Sequence, residues 1–81
     1  MRIDLALKYL CLVKSRSLAK NLCDQHAILI NNNAAKSSST VRNGDVVTIA
    51  FRGRTVRVRI LDIPEKQLSK TAAPTYYEAV D

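Results

Sequence analysis

KSRSLAKNLCDQHAILINNNAAK, residues 14–36, holds the pattern on which the fold turns. Leu18, Ala19, Leu22 and Cys23 recur at helical spacing and form an apolar stripe, while Arg16 and Lys20, four apart, occupy another face that is expected to be exposed. A serine at position 15 or 17 can cap the start of this helix, because its hydroxyl accepts a bond from an otherwise unpaired backbone N–H. The same unpaired donors hold anions easily, so basic residues beside the helix start point to nucleic acid. Downstream, Ile28, Leu29 and Ile30 read as a short apolar strand and Asn31–Asn33 as the turn after it. These amides serve turn chemistry first, and from the same edge they can reach a phosphate or ribose.

Toward the N-terminus, Ile3, Ala6, Leu7, Leu10 and Cys11 repeat at three and four, which predicts a first amphipathic helix over residues 3–12. Arg2, Lys8 and Lys14 lie on or beside it. Asp4 can brace Arg2 or Lys8, or favour the helix start. Toward the C-terminus, Lys36 closes the Asn-rich segment and Ser37–Thr40 is a polar connector. Residues 41–45 make a turn in which Gly44 supplies a free φ and Asp45 can bond nearby backbone. Val47, Ile49 and Phe51, then Val56, Val58 and Ile60, alternate on either side of a tight turn at Arg52-Gly53 and predict two strands. Arg57 and Arg59 share a face with Thr55, and Arg54 lies near the turn. That face is either ordinary edge protection or a second contact surface. Pro64 interrupts the pattern, 65–74 reads as a linker or single helical turn, and Tyr76 and Tyr77 pack the tail onto the domain or stack on a base.

Eighty-one residues make one small domain, which buries only about 60–65% of the surface its unfolded chain exposes. That leaves a modest core and no deep catalytic cleft. The net charge of +6 favours a polyanionic partner. Residues 1–59 hold 11 Lys/Arg against Asp4, Asp24 and Asp45, whereas residues 60–81 hold two against four acidic residues. The basic surface therefore belongs to the folded body and not to a cationic tail. No apolar run approaches the roughly 20 residues of a membrane span, and the N-terminus has no continuous apolar signal-peptide core, so a cytoplasmic location without membrane contact is expected. Cys11 and Cys23 both fall on apolar helix faces and are expected to be buried, reduced thiols. One histidine, His26, at a turn, and two glycines leave no nucleophile–base pair, metal ligand set or phosphate loop. No enzyme, cofactor, metal or small-molecule substrate is expected.

The blocks SRSLAKNLCDQ, IN-N, Lys36 and VRNGDVVTI, after the opening MRIDLALKYL, resemble the S4 RNA-binding domain in order and spacing over roughly residues 1–50. Many relatives place glycine where this chain has His26, and Asn-Gly at Asn31 and Asn32; Asn and His tolerate a positive φ best among other residues. The resemblance implies an α+β, S4-type (alpha-L) fold, an N-terminal helix pair packed on a small, mainly antiparallel β-sheet. The expected division is an RNA-binding domain over 1–63 and a C-terminal tail, 64–81, packed on it. Since S4 domains present this helix pair to RNA, Arg2, Lys8, Arg16 and Lys20 are expected to contact phosphates, with Lys14, Ser17, Asn32 and Lys36 supporting them. Such contacts position structured RNA by shape and backbone.

The opening MRIDLALK, the SRSLAKNLCDQ block and the terminal Tyr-Tyr-Glu resemble free-standing members of the family that act on a large ribosomal subunit carrying a stalled peptidyl-tRNA. The acidic end at Asp81, in place of the basic tail of the heat-shock members, favours a role in ribosome-associated quality control. The partners so implied are rRNA and tRNA on the large subunit and a factor that tails the nascent chain, with the protein itself a monomer. Heat-shock recycling of stalled subunits, or a basic module binding another structured RNA or an acidic protein, are the alternatives.

Overall fold

Ile3–Tyr9 and Arg16–Asp24 form helices α1 and α2 of a computed structural model, which describes residues 1–80. Asp81 lies outside the described residues. The hydroxyl of Ser15 accepts from the Leu18 backbone N–H at 3.0 Å, capping α2. Both helices stop in the same way. Leu12 N–H donates to the Leu7 carbonyl and Cys11 N–H to that of Lys8, while Ala27 and His26 repeat the pattern on Leu22 and Cys23. These paired bonds define a Schellman ending, whose pivot residue takes a left-handed conformation. The pivots are Cys11 and His26, each at φ 58°. The first helix is thus shorter than its apolar spacing predicts, and Cys11 sits on the turn after it, half-buried, its thiol 3.4 Å from the Leu68 carbonyl. Periodicity misreads this because Leu10 and Cys11 still turn inward after helical hydrogen bonding has ended.

The strands are β1 (Ile28–Ile30), β2 (Asn33–Ala34), β3 (Val46–Phe51), β4 (Arg54–Ile60) and β5 (Tyr77–Ala79). They form one sheet in the order β2-β1-β3-β4-β5, every neighbouring pair antiparallel. Asn31-Asn32 and Arg52-Gly53 join their strands as two-residue loops, with φ positive at both positions of each. This is the backbone of a type I′ turn, whose twist matches that of the strands it joins. β2 is too short to leave a periodic signal.

Alternation decides which side of the sheet meets the helices. Ile28, Val47, Ile49, Val58 and Ile60 are buried against Ile3, Ala6, Leu7 and Leu10 from the first helix segment and Ala19 and Leu22 from α2. Each large aliphatic side chain so enclosed contributes about 1.5–3 kcal/mol. The same face of the hairpin runs on past the helices, leaving Phe51 and Val56 exposed. On the opposite face Thr48 is buried, with the Nε of Arg57 donating to its hydroxyl at 3.3 Å.

The C-terminal segment adds more than a packed tail. Tyr77–Ala79 pairs with β4 as the fifth strand, Val80 N–H donates to the Arg57 carbonyl, and Pro64 and Ala73 are buried. A short 3-10 turn, Ala73–Thr75, precedes the strand, and Tyr76 and Tyr77 are half-buried against the core. Leu68 N–H donates to the Tyr9 carbonyl, tying this segment to the end of α1. No helix among the described residues is long and apolar enough to cross a membrane.

Candidate nucleic-acid interface

Asp4, on the first turn of α1, is the only buried acidic side chain among the described residues. Its Oδ1 accepts from the Leu5 N–H at 2.8 Å and from Arg2 Nε at 3.2 Å. Its Oδ2 accepts from Arg2 Nη2 at 3.2 Å and lies 3.4 Å from Arg16 Nε at the start of α2. A carboxylate taken out of water costs several kcal/mol unless its lone pairs are met, and here three hydrogen-bond donors and the charge of Arg16 meet them. The two guanidinium groups are about half-exposed, at 50% and 47% of their side-chain surface. Each is gripped by its inner edge and leaves further N–H donors free. Planar donors held in this way suit the oxygens of a phosphate.

Arg16 is therefore not simply a solvated charge on an exposed face. A glutamate in its place would stand beside the buried Asp4 carboxylate, so charge reversal there lowers stability as well as binding. Sequence spacing allows Asp4 to reach Arg2 or Lys8; its second partner, Arg16, comes from the other helix and has no local signal.

Lys36 joins this group through the backbone. Ile3 and Asp4 N–H groups donate to the carbonyls of Ser39 and Ser37, and Arg2 bridges to Thr40, which sets the 36–40 turn against the start of α1. Lys20 is exposed one helical turn beyond Arg16, and Ser17 is exposed beside it. Lys8 and Lys14 face a different place. Lys8 Nζ donates to Gln67 Oε1 at 2.9 Å, and both lysines border a groove shared with Arg52 and Lys70. Asn32 is exposed on the β1–β2 turn, and no hydrogen bond among the described residues links its side chain to the others. Asn31 is the structural amide of that turn, bonding Asp45 Oδ1 and the Val46 N–H.

Cys23 is buried on the inner face of α2, and burial, helped by the nearby Asp4 and Asp24 carboxylates, pushes its thiol above the ordinary range. It is kept protonated and unreactive. No group of three or more His, Cys, Asp or Glu residues that could hold a metal ion occurs among the described residues.

Arg57 and Arg59 alternate with the core residues Val58 and Ile60 and so lie on the sheet face away from the helices. Arg59 pairs across the strands with Glu78 at 3.0 Å, both half-exposed. The helix-borne and strand-borne basic patches are on opposite sides of the sheet. Arg54 has the parity of Val56 and faces the helix side.

The S4 domain model matches residues 1–47. The chain is 41% identical over 78 residues to a protein of Halalkalibacterium halodurans named RQC P-site tRNA stabilizing factor, covering 96% of this chain and 88% of that one. A protein of the same name from Bacillus subtilis is 41% identical over 76 residues, covering 94% and 88%. Among solved structures, the trimeric heat shock protein 15 of Vibrio cholerae superposes with a TM-score of 0.92 at 25% identity, covering 99% of this chain and 81% of that one. The solution structure of a hypothetical protein superposes at 0.85 with 32% identity, covering 100% and 98%.

Proposed function

The chain belongs to the S4 domain family, and from that premise we propose that it binds tRNA and rRNA on a large ribosomal subunit whose peptidyl-tRNA has stalled, stabilising the P-site tRNA during ribosome-associated quality control. The observation that carries this reading is the pair of half-exposed arginines, Arg2 and Arg16, held by one buried carboxylate at the junction of the two helices. Lys20, Ser17 and Lys36 extend that surface, and Lys14 and Lys8 add phosphate contacts from the groove side. Asn32 adds a contact from the β1–β2 turn. The role is positioning and not catalysis: phosphates are gripped, and no bond is made or broken. The protein acts in the cytoplasm as a monomer, beside a factor that tails the nascent chain.

Sedimentation of the tagged protein from lysate on a sucrose gradient tests this. Migration with free large subunits that carry peptidyl-tRNA, lost on nuclease treatment or at high salt, is expected. Presence only at the top of a low-salt gradient would reject it. Titration of purified protein with tRNA should give a log–log salt slope of about −3.5 to −4.5 if about five phosphates are neutralised, and a slope near zero would sink the electrostatic contact set.

The likeness to heat shock protein 15 favours a second reading, a heat-shock-type recycling factor for stalled subunits. Protein levels that rise on heat shock, without loss of tailed nascent chains on deletion, would select it.

A further inference from the structure

An open groove of about 640 Å³ lies between the turn after α1, the β3–β4 hairpin and the segment at Gln67–Lys70. Its floor is apolar, made by Leu12, Val13, Leu18, Ile49 and Phe51, and it continues over Val56. Phe51 is 37% exposed and Val56 42%, on the sheet face that is fully enclosed a few residues earlier. Its rim is basic: Lys14, Arg52 and Lys70 border the groove and Arg54 its continuation, and no Asp or Glu lines either part. Lys14, Arg54 and Lys70 have no ion-pair partner among the described residues. Arg52 stands on the left-handed turn with its guanidinium 4.9 Å from the centre of the Phe51 ring.

Apolar floor and cationic rim call for an occupant with apolar side chains flanked by carboxylates. RNA meets only half of that demand. A base gains by stacking on aromatic faces, and here the floor is mostly aliphatic while Arg52 already covers one face of the single aromatic ring. An amphipathic peptide meets both halves, its apolar face filling the groove and its acidic face meeting the rim. We propose that this groove docks an acidic, amphipathic segment of a protein partner. It is a contact surface separate from the arginine pair held by Asp4, and Lys8 and Lys14 lie at the boundary between the two. Acidic residues flanking the apolar face of the segment would meet Lys14, Arg52 and Lys70 along the groove and Arg54 at its continuation.

The test uses the full chain with the photoreactive amino acid p-benzoylphenylalanine in place of Phe51, irradiated in cells, with cross-linked peptides mapped by mass spectrometry. The same amino acid at Leu61, an exposed position outside the groove, is the control. The expected result is a cross-link to one polypeptide segment of net negative charge. A synthetic peptide of that mapped sequence should then bind the purified protein, and the double variant Arg54→Glu, Lys70→Glu should weaken it at least about tenfold, with tRNA affinity within about twofold of the parent. Cross-links mainly to RNA, cross-links no stronger than at Leu61, or peptide binding indifferent to the double variant would each overturn the proposal. Because tRNA affinity is read separately, its loss in the parent protein would reject the RNA reading and leave the groove standing.

Discussion

Two ion-paired carboxylates on this molecule differ in burial, and the difference decides what their arginine partners can do. Asp4 is buried and meets Arg2 and Arg16 from below, whereas Glu78 is half-exposed and meets Arg59 in solvent. A buried carboxylate has no competing water, so its partners are confined to the few geometries that satisfy it. A surface pair is screened and pays side-chain entropy, and its net worth is about 0–1 kcal/mol. The same chemistry therefore gives a positioned cation on the helix side and a solubilising one on the strand side. Net charge alone would rank the two patches as equals.

The comparison breaks most visibly at Arg16. Arg16→Glu should weaken tRNA binding by about a hundredfold, or about 2.7 kcal/mol, in a filter-binding titration, and lower the melting temperature because the new carboxylate faces Asp4. Unchanged affinity would mean the helix pair does not meet RNA. Asp4→Asn sharpens the point, since it raises the net charge by one. If charge were all that mattered, tRNA would bind more tightly; loss of the grip on both arginines instead predicts weaker binding by about tenfold, about 1.4 kcal/mol. Tighter binding would show that Asp4 is only a counter-charge.

Cys23 probes the interior behind the same site. Its folded-state thiol titrates above that of the unfolded chain, so the unfolded state loses its proton first as pH rises. Stability should be unaffected by this group below about pH 8.5 and fall above it. Cys23→Ser should flatten that alkaline decline in urea melts, and an identical decline would exclude the thiol as its cause. The smallest effect belongs to the strand pair: Glu78→Gln should change stability by less than about 1 kcal/mol and leave tRNA affinity nearly unaltered. A large loss of binding there would make the strand face part of the interface.

Local chemistry was legible in the residues themselves. The helix-forming stripe at Leu18, Ala19, Leu22 and Cys23, the Ser15 cap, and the alternation through Val47, Ile49, Val58 and Ile60 all appear where spacing places them. His26, Asn31 and Asn32 take the left-handed backbone that His and Asn tolerate best among residues other than glycine. Such features depend on neighbours within a few positions, and a sequence displays those directly. Spacing misled where an inward-pointing residue outlasts its element, as at Cys11, and where an element is too short to repeat, as at β2 and β5.

What only the tertiary structure decided involves residues far apart in the chain. Arg2, just before α1, and Arg16, at the start of α2, share Asp4 because the two helices pack with that carboxylate between them. Lys8 and Gln67, 59 positions apart, meet because the C-terminal segment crosses the end of α1 and then closes the sheet as β5. Contacts of this kind follow from how layers stack and how much surface each can cover. That is also why Phe51 and Val56, indistinguishable from core residues by alternation, remain at the surface: the helices end before the hairpin does.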